Sequence, residues 1–286
     1  MTTTITTSNM NGIRAAKRKG LHKWVMRNTP DIWCMQEVRA PQSEIDPIFA
    51  EIAQDYVDAG RIAEPADLAT SNEICNIKGR AGVAVLSDLP ILERRYGLEG
   101  LDEDVDTGRW IETDIRTPEG YVITVVCVYM HAGNVDDETK MAQKYRFLDA
   151  MDTRLAALQD EAASGGRQAV ICGDFNIAHQ EIDINNPEAH LANSGFLPEE
   201  RAHVDKWLDQ LEYVDVMRDL AGDIQGPYTW WSMRGRAFDN DAGWRLDYQF
   251  ATPELAQQAR GFVVDKPDNY FKRWSDHAPL TITYDV

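Results

Sequence analysis

Short apolar runs recur along the 286-residue chain and are separated by polar loops. Apolar runs of this length, bounded by turn-forming residues, predict buried strands. The run at 121–129 is rich in β-branched residues and suits the centre of a sheet. The predicted strands are residues 5–9, 31–36, 81–87, 110–115, 121–129, 168–172, 245–251 and 280–284.

Helical spacing of apolar residues is clearest at 138–163, where they recur every three or four positions before a Gly-Gly pair. A second helix is predicted over 14–27, with Leu21, Trp24 and Val25 on its buried side, and a short one over 203–211. Strands interleaved with amphipathic helices indicate an α/β protein with two sheets packed face to face and helices outside.

No internal repeat, low-complexity segment or Pro/Ser-rich linker divides the chain, which indicates a single domain over residues 1–286. The pattern alone leaves parallel and antiparallel strand pairing open. The longest nearly apolar stretch, 122–130, is too short to span a bilayer. The first residues lack the features of a signal peptide, so we expect a cytoplasmic protein without a membrane partner. Three of the four cysteines lie in apolar runs and are expected to be small buried hydrophobes.

Charge is unevenly distributed. The net charge is -18, which argues against simple electrostatic adhesion to DNA. Residues 1–30, however, contain six Lys and Arg residues between Arg14 and Arg27 and no Asp or Glu. This segment is either a solvated helix face or a basic face that meets a phosphate backbone.

Polar residues follow the first two predicted strands directly. Asn9 and Asn11 alternate at the end of the first strand, where they either cap a helix or converge on a site. Gln36-Glu37 closes the second strand. A carboxylate at the end of a buried strand is costly unless it is solvated, paired or bound to a cation.

Three later motifs carry acid, amide and imidazole groups. Asp174 and Asn176 have the period-two spacing that points both side chains the same way from an extended segment. Asp247 lies between apolar neighbours and needs a partner, either a histidine or an arginine. The adjacent Asp276-His277, stopped by Pro279, forms a compact acid/base and metal-binding unit. A hard cation, a base and hydrogen-bond donors are what phosphodiester cleavage requires.

The stretches NMNGIRA, QE, GDFNIA, GWRLDY and SDHAP occur in this order between Asn9 and Ala278. In this combination the chain resembles the exonuclease III and abasic (AP) endonuclease branch of the endonuclease/exonuclease/phosphatase superfamily. The resemblance implies a four-layered α/β sandwich, in which two packed, mostly antiparallel sheets are flanked by helices. It also implies Mg²⁺ or Mn²⁺ as cofactor.

The resemblance also implies roles for individual residues. Glu37 corresponds to the main metal ligand, and Asp174 to the aspartate at the attacking water, either as a base or as a second metal ligand. Asn176 corresponds to an amide that donates to the scissile phosphate. His277 corresponds to the histidine that contacts the phosphate, and Asp247 corresponds to the carboxylate that orients His277. Within the family, either this pair or the aspartate that matches Asp174 is the base. The full candidate metal set is Asn9, Asn11, Glu37, Asp174, Asn176, Asp276 and His277.

Tyr129 falls where the family carries its catalytic tyrosine. The family loop has Pro two residues later, whereas this chain has His131, which puts the loop geometry in question. Trp230, Trp244 and Leu246 match an apolar pocket for a flipped abasic sugar, and core packing is preferred for Trp231. The candidate phosphate contacts are Arg14, Arg234, Arg236, Lys272 and Arg273.

The expected partner is double-stranded DNA with abasic sites or 3′ ends, bound by a monomer. The expected reactions are hydrolysis 5′ to abasic sites and removal of 3′-terminal nucleotides, and the balance between them and 3′-phosphatase activity stays open. Two alternatives remain: a phosphodiesterase of the same fold acting on a non-DNA substrate, and a non-catalytic DNA-binding relative.

Overall fold

The computed structural model describes residues 2–286. Two six-stranded sheets and seven α-helices make up this part of the chain. The strands are β1 (Thr3–Asn9), β2 (Ile32–Gln36), β3 (Ala69–Glu73), β4 (Val83–Ser87), β5 (Ile91–Tyr96), β6 (Trp110–Arg116), β7 (Val122–Tyr129), β8 (Gln168–Asp174), β9 (Val214–Asp215), β10 (Asp247–Ala251), β11 (Ala259–Val264) and β12 (Leu280–Tyr284). The helices are α1 (Ile13–Arg18), α2 (Leu21–Asn28), α3 (Gln42–Asp58), α4 (Glu138–Ala163), α5 (Pro198–Asp209), α6 (Val216–Ala221) and α7 (Pro253–Ala256).

Strand pairing is mostly antiparallel, as the family resemblance implies. The first sheet has the order β11-β12-β1-β2-β4-β3, and the second has the order β5-β6-β7-β8-β10-β9. Within this part of the chain, the named strands pair in parallel only at β1–β2 and at β7–β8. Each sheet therefore has one parallel pair near its centre.

The period-two alternation of buried strands explains the layers. Cys34 in β2 and Cys127 in β7 point between the sheets into one central cluster. Their neighbour Trp33 points outward to the cluster beneath α1, α2 and α3. Val126 likewise points outward to the cluster beneath α4 and α5. This helix–sheet–sheet–helix arrangement confirms the predicted four-layered α/β sandwich.

The predicted helix over 14–27 is wrong in one respect, because it is two helices. Gly20 adopts a left-handed φ of 102° between α1 and α2 and turns the chain there. The buried side of α2 is Leu21, Trp24 and Val25, as predicted. No helix within residues 2–286 has both the length and the apolarity needed to cross a membrane. All four cysteines are buried and free.

Candidate active site

Sheet topology brings the polar strand ends to one edge of the sandwich. In the two parallel pairs, Asn9 lies beside Gln36 and Tyr129 beside Asp174, so their carboxyl ends meet. β10 is antiparallel to β8 and begins at Asp247, directly opposite Asp174. These ends surround a cavity of about 530 Å³. Its polar lining includes Glu37, Tyr129, Asp174, Asn176, Asp276 and His277.

A histidine lies between two buried aspartates. His277 Nδ1 is 2.8 Å from Asp247 Oδ2, and its Nε2 is 3.7 Å from Asp174 Oδ2. Thr229 Oγ1 accepts a hydrogen bond from the Asp247 backbone amide at 3.0 Å, which fixes the start of β10. The arrangement can orient the imidazole and present its Nε2 toward the cavity.

Burial and neighbouring charges raise the pKa values of both Asp174 and His277. Burial raises the pKa of Asp174 to about 7, and the charges of Asp247 and Glu37 add to that effect while His277 opposes it. Burial alone would lower the pKa of His277, but Asp247 and Asp174 outweigh it and raise the value to about 10. The imidazole is therefore the cation of the cluster at neutral pH.

Asn9 and Asn11 hold the aspartates on either side of the site. Asn9 Nδ2 donates to Asp174 Oδ2 at 2.8 Å, and Asn9 Oδ1 accepts from the Asn11 backbone amide at 2.8 Å. Asn11 Nδ2 donates to Asp276 Oδ1 at 2.8 Å, and Trp230 Nε1 donates to Asp276 Oδ2 at 3.2 Å. Burial works against ionisation of Asp276, but His277 and these donors keep its pKa below the ordinary value.

Glu37 sits in a left-handed turn beside Tyr129. Its φ is 52°, and that of Arg39 is 51°, so the chain curls to aim the carboxylate into the cavity. The Tyr129 hydroxyl donates to Glu37 Oε1, and Arg39 Nη2 lies 2.5 Å from Oε2. Burial raises the pKa of Tyr129 well above its ordinary value, and the Glu37 charge adds to this. The phenol therefore stays protonated and acts as a hydrogen-bond donor in this site.

Arg109 makes three contacts with Tyr129. Its backbone carbonyl accepts from the Tyr129 amide at 2.8 Å, and its Nη1 donates to the Tyr129 carbonyl at 3.2 Å. Its guanidinium lies 4.9 Å from the centroid of the Tyr129 ring. The guanidinium is buried, and burial lowers its pKa. Arg109 thus fixes both the backbone and the ring of the tyrosine.

Asn176 is held by a buried ion pair behind the cavity. Its Nδ2 donates to the Met130 carbonyl at 3.0 Å, and its own carbonyl accepts from Lys144 Nζ at 2.9 Å. Lys144 Nζ is also 2.7 Å from Glu200 Oε1, and both side chains are 0% exposed. Glu200 in turn accepts from the Gly195 amide at 2.6 Å. Lys144 Nζ also donates to the Ala132 carbonyl at 3.3 Å, so three loops around the cavity are tied to a single pair of charges.

An aromatic pocket opens beside these polar groups. The rings of Trp230 and Trp244 lie 6.1 Å apart at 90°, and Leu246 completes the wall. Trp231, for which sequence reasoning preferred core packing, is 1% exposed and packs on Phe238. The pocket is apolar while the rest of the cavity is strongly acidic.

The predicted phosphate contacts are not gathered as closely. Arg234 and Arg236 are exposed in the loop after Trp231, and Arg14 is exposed and paired with Glu44 at 3.0 Å. Lys272 is exposed and pairs with Asp268 at 2.6 Å. Arg273 is buried: its guanidinium lies 4.4 Å from the Tyr270 ring centroid, in a packing arrangement that keeps it from reaching a phosphate.

His131 does not line the cavity. Its Nε2 lies 2.7 Å from Asp106 Oδ1, and its ring packs against Phe147. The substitution for the family proline therefore ties the loop after Tyr129 to a neighbouring loop. It adds no side chain to the site.

Charge and donor type at the cavity fit a hard divalent cation. Carboxylates from Glu37, Asp174 and Asp276 line it from several elements, and Asn9 and Asn11 donate to two of these carboxylates from behind. Asp174, Asp247 and His277 place one potential ligand atom each within 4.8 Å of the others. The buried Asp247 Oδ1 has no hydrogen-bond partner within residues 2–286.

A second acidic group lies on α4 and α5. It consists of Asp149, Asp152 and His203. Asp152 already accepts from Trp207 Nε1 at 2.6 Å and Lys206 Nζ at 2.8 Å. This group therefore links two helices and is not a candidate metal centre.

Sequence reasoning missed the buried charges that position the site. Arg109, Lys144 and Glu200 received no role, because their partners are distant in sequence. The only sequence signal for them is a charged residue within an otherwise apolar helix face or strand flank, as with Lys144 among Tyr145, Phe147 and Leu148.

Comparison with known proteins gives consistent matches. The sequence profile described as the Endonuclease/Exonuclease/phosphatase family matches residues 6–277. An exodeoxyribonuclease of Bacillus subtilis is 28% identical over 279 residues, covering 97% of this chain and 98% of that protein. The DNA repair nuclease APEX1 of Danio rerio is 30% identical, covering 97% of this chain and 81% of that protein. The structure of an AP endonuclease from Archaeoglobus fulgidus superposes with a TM-score of 0.81 at 30% identity, covering 99% of this chain and 100% of that one.

Proposed function

The chain belongs to the endonuclease/exonuclease/phosphatase family, and from that premise we propose that it is a metal-dependent DNA repair nuclease. It hydrolyses the phosphodiester 5′ to abasic sites in duplex DNA and removes 3′-terminal nucleotides. The observation that carries this proposal is the His277–Asp247–Asp174 cluster next to the pocket of Trp230, Trp244 and Leu246. The cluster suits phosphodiester hydrolysis, and the pocket suits a sugar without a base.

The proposed cofactor is Mg²⁺ or Mn²⁺, held by Glu37 with Asn9, Asn11 and Asp276. When bound, the cation offsets the negative charge of the phosphate. Asp174 accepts the proton of the attacking water, for which a pKa of about 7 is well matched. His277 is held as a cation by Asp247 and donates from Nε2 to a phosphoryl oxygen.

Asn176 and Tyr129 supply further donors. Asn176 Nδ2 uses one hydrogen for the Met130 carbonyl at 3.0 Å and the other for a long bond to Asp174 Oδ2 at 3.4 Å, and this second hydrogen can turn to a phosphoryl oxygen. The Tyr129 hydroxyl is oriented by Glu37 and by the three contacts from Arg109. Both side chains are held in place before substrate arrives, and each donates to the phosphate by exchanging its carboxylate partner, Glu37 for the phenol and Asp174 for the amide.

Substrate selection rests on the pocket. Extrusion of a nucleotide costs least where no base is paired or stacked, and an apolar wall of two tryptophans and a leucine accepts a bare deoxyribose. Arg234 and Arg236 extend from the adjoining loop and contact phosphates, which positions the duplex without reading its sequence. We infer a monomer that acts in the cytoplasm on double-stranded DNA.

The test is incision of a duplex that carries one abasic site. We expect cleavage 5′ to the lesion with Mg²⁺ or Mn²⁺ and none with chelator. The rate on a recessed 3′ end of undamaged duplex ranks the exonuclease activity. Glu37→Gln should lower kcat about 100-fold or more at saturating metal, because it removes a charged metal ligand. Full activity of this variant would refute the metal assignment, and an inactive wild type with either metal would refute the nuclease.

Arg109 should act through Tyr129. Arg109→Met is expected to lower kcat about tenfold to 100-fold with little change in KM, because a misplaced catalytic group costs rate more than binding. In the background of Tyr129→Phe the same replacement should cost less than about threefold. The measurement is a double-mutant cycle on kcat, with Arg109→Lys as the variant that keeps the charge. Equal losses in both backgrounds would mean that Arg109 supports only the fold.

A further inference from the structure

Three exposed cations line one groove beside the site. Lys19 follows α1, and Lys23 and Arg27 lie on α2 at four-residue spacing, so that they share one helix side. We call Lys19, Lys23 and Arg27 the basic row. None of the three forms an ion pair with a residue between 2 and 286, whereas neighbouring Lys17 pairs with Glu51 at 2.6 Å. In a chain with a net charge of -18, a row of unpaired cations is unusual.

The groove runs from the basic row to the active site. Its volume is about 560 Å³, and the segment 265–273 forms its opposite wall. Trp274, His277 and Pro279 line it as well. His277 also lines the catalytic cavity, so the groove and the cavity are adjacent through this residue. The groove therefore adjoins the cavity, and a duplex that extends beyond the reacting nucleotide can contact both.

Carboxylates in the groove offset the charge of the row only in part. Asp265 accepts from the Trp24 indole and from Asn28 Nδ2 at 3.4 Å, which directs it to neutral donors. Asp268 pairs with Lys272 at 2.6 Å. Lys272 and then Arg27 lower the pKa of Asp268, so this carboxylate feels the positive field of the groove. The local excess of positive charge is what a polyanion needs to approach an acidic protein.

An aromatic side chain stands on the wall that faces the row. Phe271 is 92% exposed and lies in the short turn Tyr270–Lys272. Its ring touches Tyr270 edge-on at 5.6 Å between centroids. Solvation of a whole phenyl ring is costly, and a partner that covers it recovers that free energy. Cations that face an exposed aromatic ring across a groove can contact backbone phosphates while the ring packs on the adjoining sugars.

We propose that this groove binds one arm of the DNA duplex whose scissile phosphate lies in the catalytic cavity. The basic row contacts successive backbone phosphates, and Phe271 packs on the sugars of the same arm. The inference rests on the proposed function and extends it, because it assigns a second contact surface that lies beyond the reacting nucleotide. Its contribution is affinity and orientation and not sequence readout.

The test compares two triple variants with equal loss of charge. Lys19→Ser/Lys23→Ser/Arg27→Ser removes the basic row. Arg94→Ser/Arg116→Ser/Arg260→Ser removes three exposed cations elsewhere on the molecule. Binding to a long duplex with one abasic site is measured by fluorescence anisotropy in chelator over a series of KCl concentrations.

The row variant should raise Kd about tenfold at low salt and reduce the slope of log K against log salt by about 2 to 3, since each lost phosphate contact contributes about 0.9. The control triple should match the wild type. Phe271→Ser should raise Kd about fivefold with an unchanged slope, because it removes an uncharged contact. Shortening one arm of the duplex should abolish the difference between the row variant and the wild type.

The outcomes separate this inference from the proposed function. If the row variant binds the long duplex with the Kd and salt slope of the control triple, the groove is not a DNA surface, even though incision proceeds. The row variant should cut a duplex that lacks the arm next to the groove at the wild-type rate. In that case, the weaker binding of the row variant to the long duplex is caused by the loss of contacts in the groove. A wild type that neither binds nor cuts DNA would overturn both proposals together.

Discussion

Replacement of Asp174 by Asn is expected to lower kcat for phosphodiester cleavage about 10²- to 10⁴-fold, the range for loss of a positioned general base. Asp174 is 1% exposed, lies opposite Asp247 and accepts from Asn9 Nδ2 at 2.8 Å. The amide keeps the size and one acceptor of the carboxylate, but it cannot take a proton from water. The loss should therefore appear in kcat with little change in KM.

The Asp174→Asn replacement should also change how the free energy of unfolding depends on pH. In the metal-free protein, burial raises the pKa of Asp174 to about 7, against 3.8 for an ordinary aspartate. The folded state thus holds this proton more tightly than the unfolded state, and its contribution to stability is lost as pH rises from about 4 to 7. The Asn variant lacks this loss, so its free energy of unfolding in chelator should depend less on pH over that window.

The measurement pairs steady-state cleavage with denaturant unfolding in chelator at several pH values. Asp205→Asn is the matched control, because Asp205 also bonds a histidine, His179, at 2.7 Å but lies outside the site. We expect the control to keep kcat within about twofold and the wild-type pH profile of stability. An Asp174→Asn protein with wild-type kcat would remove Asp174 from the mechanism.

Lys144→Met should destabilise the protein by about 3–5 kcal/mol, the usual cost of leaving one member of a buried ion pair without its partner. Glu200 is fully buried, and it would lose the Lys144 ammonium 2.7 Å away. The Asn176 carbonyl would lose its donor as well. The replacement should therefore lower the free energy of unfolding and also displace Asn176.

Urea unfolding measures this effect, and the double variant Lys144→Met/Glu200→Gln supplies its internal test. The neutral amide removes the stranded charge but still accepts from the Gly195 amide, so the double variant should be more stable than the single one. Lys206→Met is the control, because Lys206 is half-exposed and pairs with Asp152, which has other donors. It should cost less than about 1 kcal/mol. A Lys144→Met protein no less stable than this control would refute the argument.

The strands that the sequence predicts and those that it misses differ in their place in the sheets. All eight predicted strands exist, with ends shifted by a few residues, and they hold mainly interior positions. The four missed strands, β3, β5, β9 and β11, are the four sheet edges. An edge strand carries charged, solvent-facing residues, as β5 does at Glu93, Arg94 and Arg95. Such a strand therefore shows no continuous apolar run in the sequence. Edge position therefore limits prediction from hydrophobic pattern.

The long helix α3 was missed for a different reason. Ile45, Ile48, Phe49 and Ile52 are all buried on it at helical spacing, but Pro47 interrupts the pattern. Pro47 is the sixth residue of α3 and removes the bond to the Ser43 carbonyl, but the helix continues through it because its apolar side is buried. A rule that ends every helix at proline is too strict in the first two turns.

The sequence predicts those site residues that belong to a recognisable motif. Asn9, Glu37, Tyr129, Asp174, Asn176, Trp230, Trp244, Leu246, Asp276 and His277 were all named from motifs, and the structure gathers them around one cavity. The contacts that hold them were not predictable. Arg109 reaches Tyr129, and Lys144 reaches Glu200, across separations that only the folded chain closes. Sequence motifs therefore identify the reacting groups better than the groups that support them.

Pairing of β1 with β12 has a consequence for biosynthesis. Thr3 aligns with Tyr284 and Thr7 with Leu280. One hydrogen-bonding edge of β1 therefore stays unpaired until β12 has been synthesised. Asn9 and His277 lie at the site ends of those same strands. A ribosome-bound chain that lacks its final segment cannot assemble the cavity. The catalytic cluster therefore forms late in biosynthesis, after the segment that carries His277 and β12 has been made.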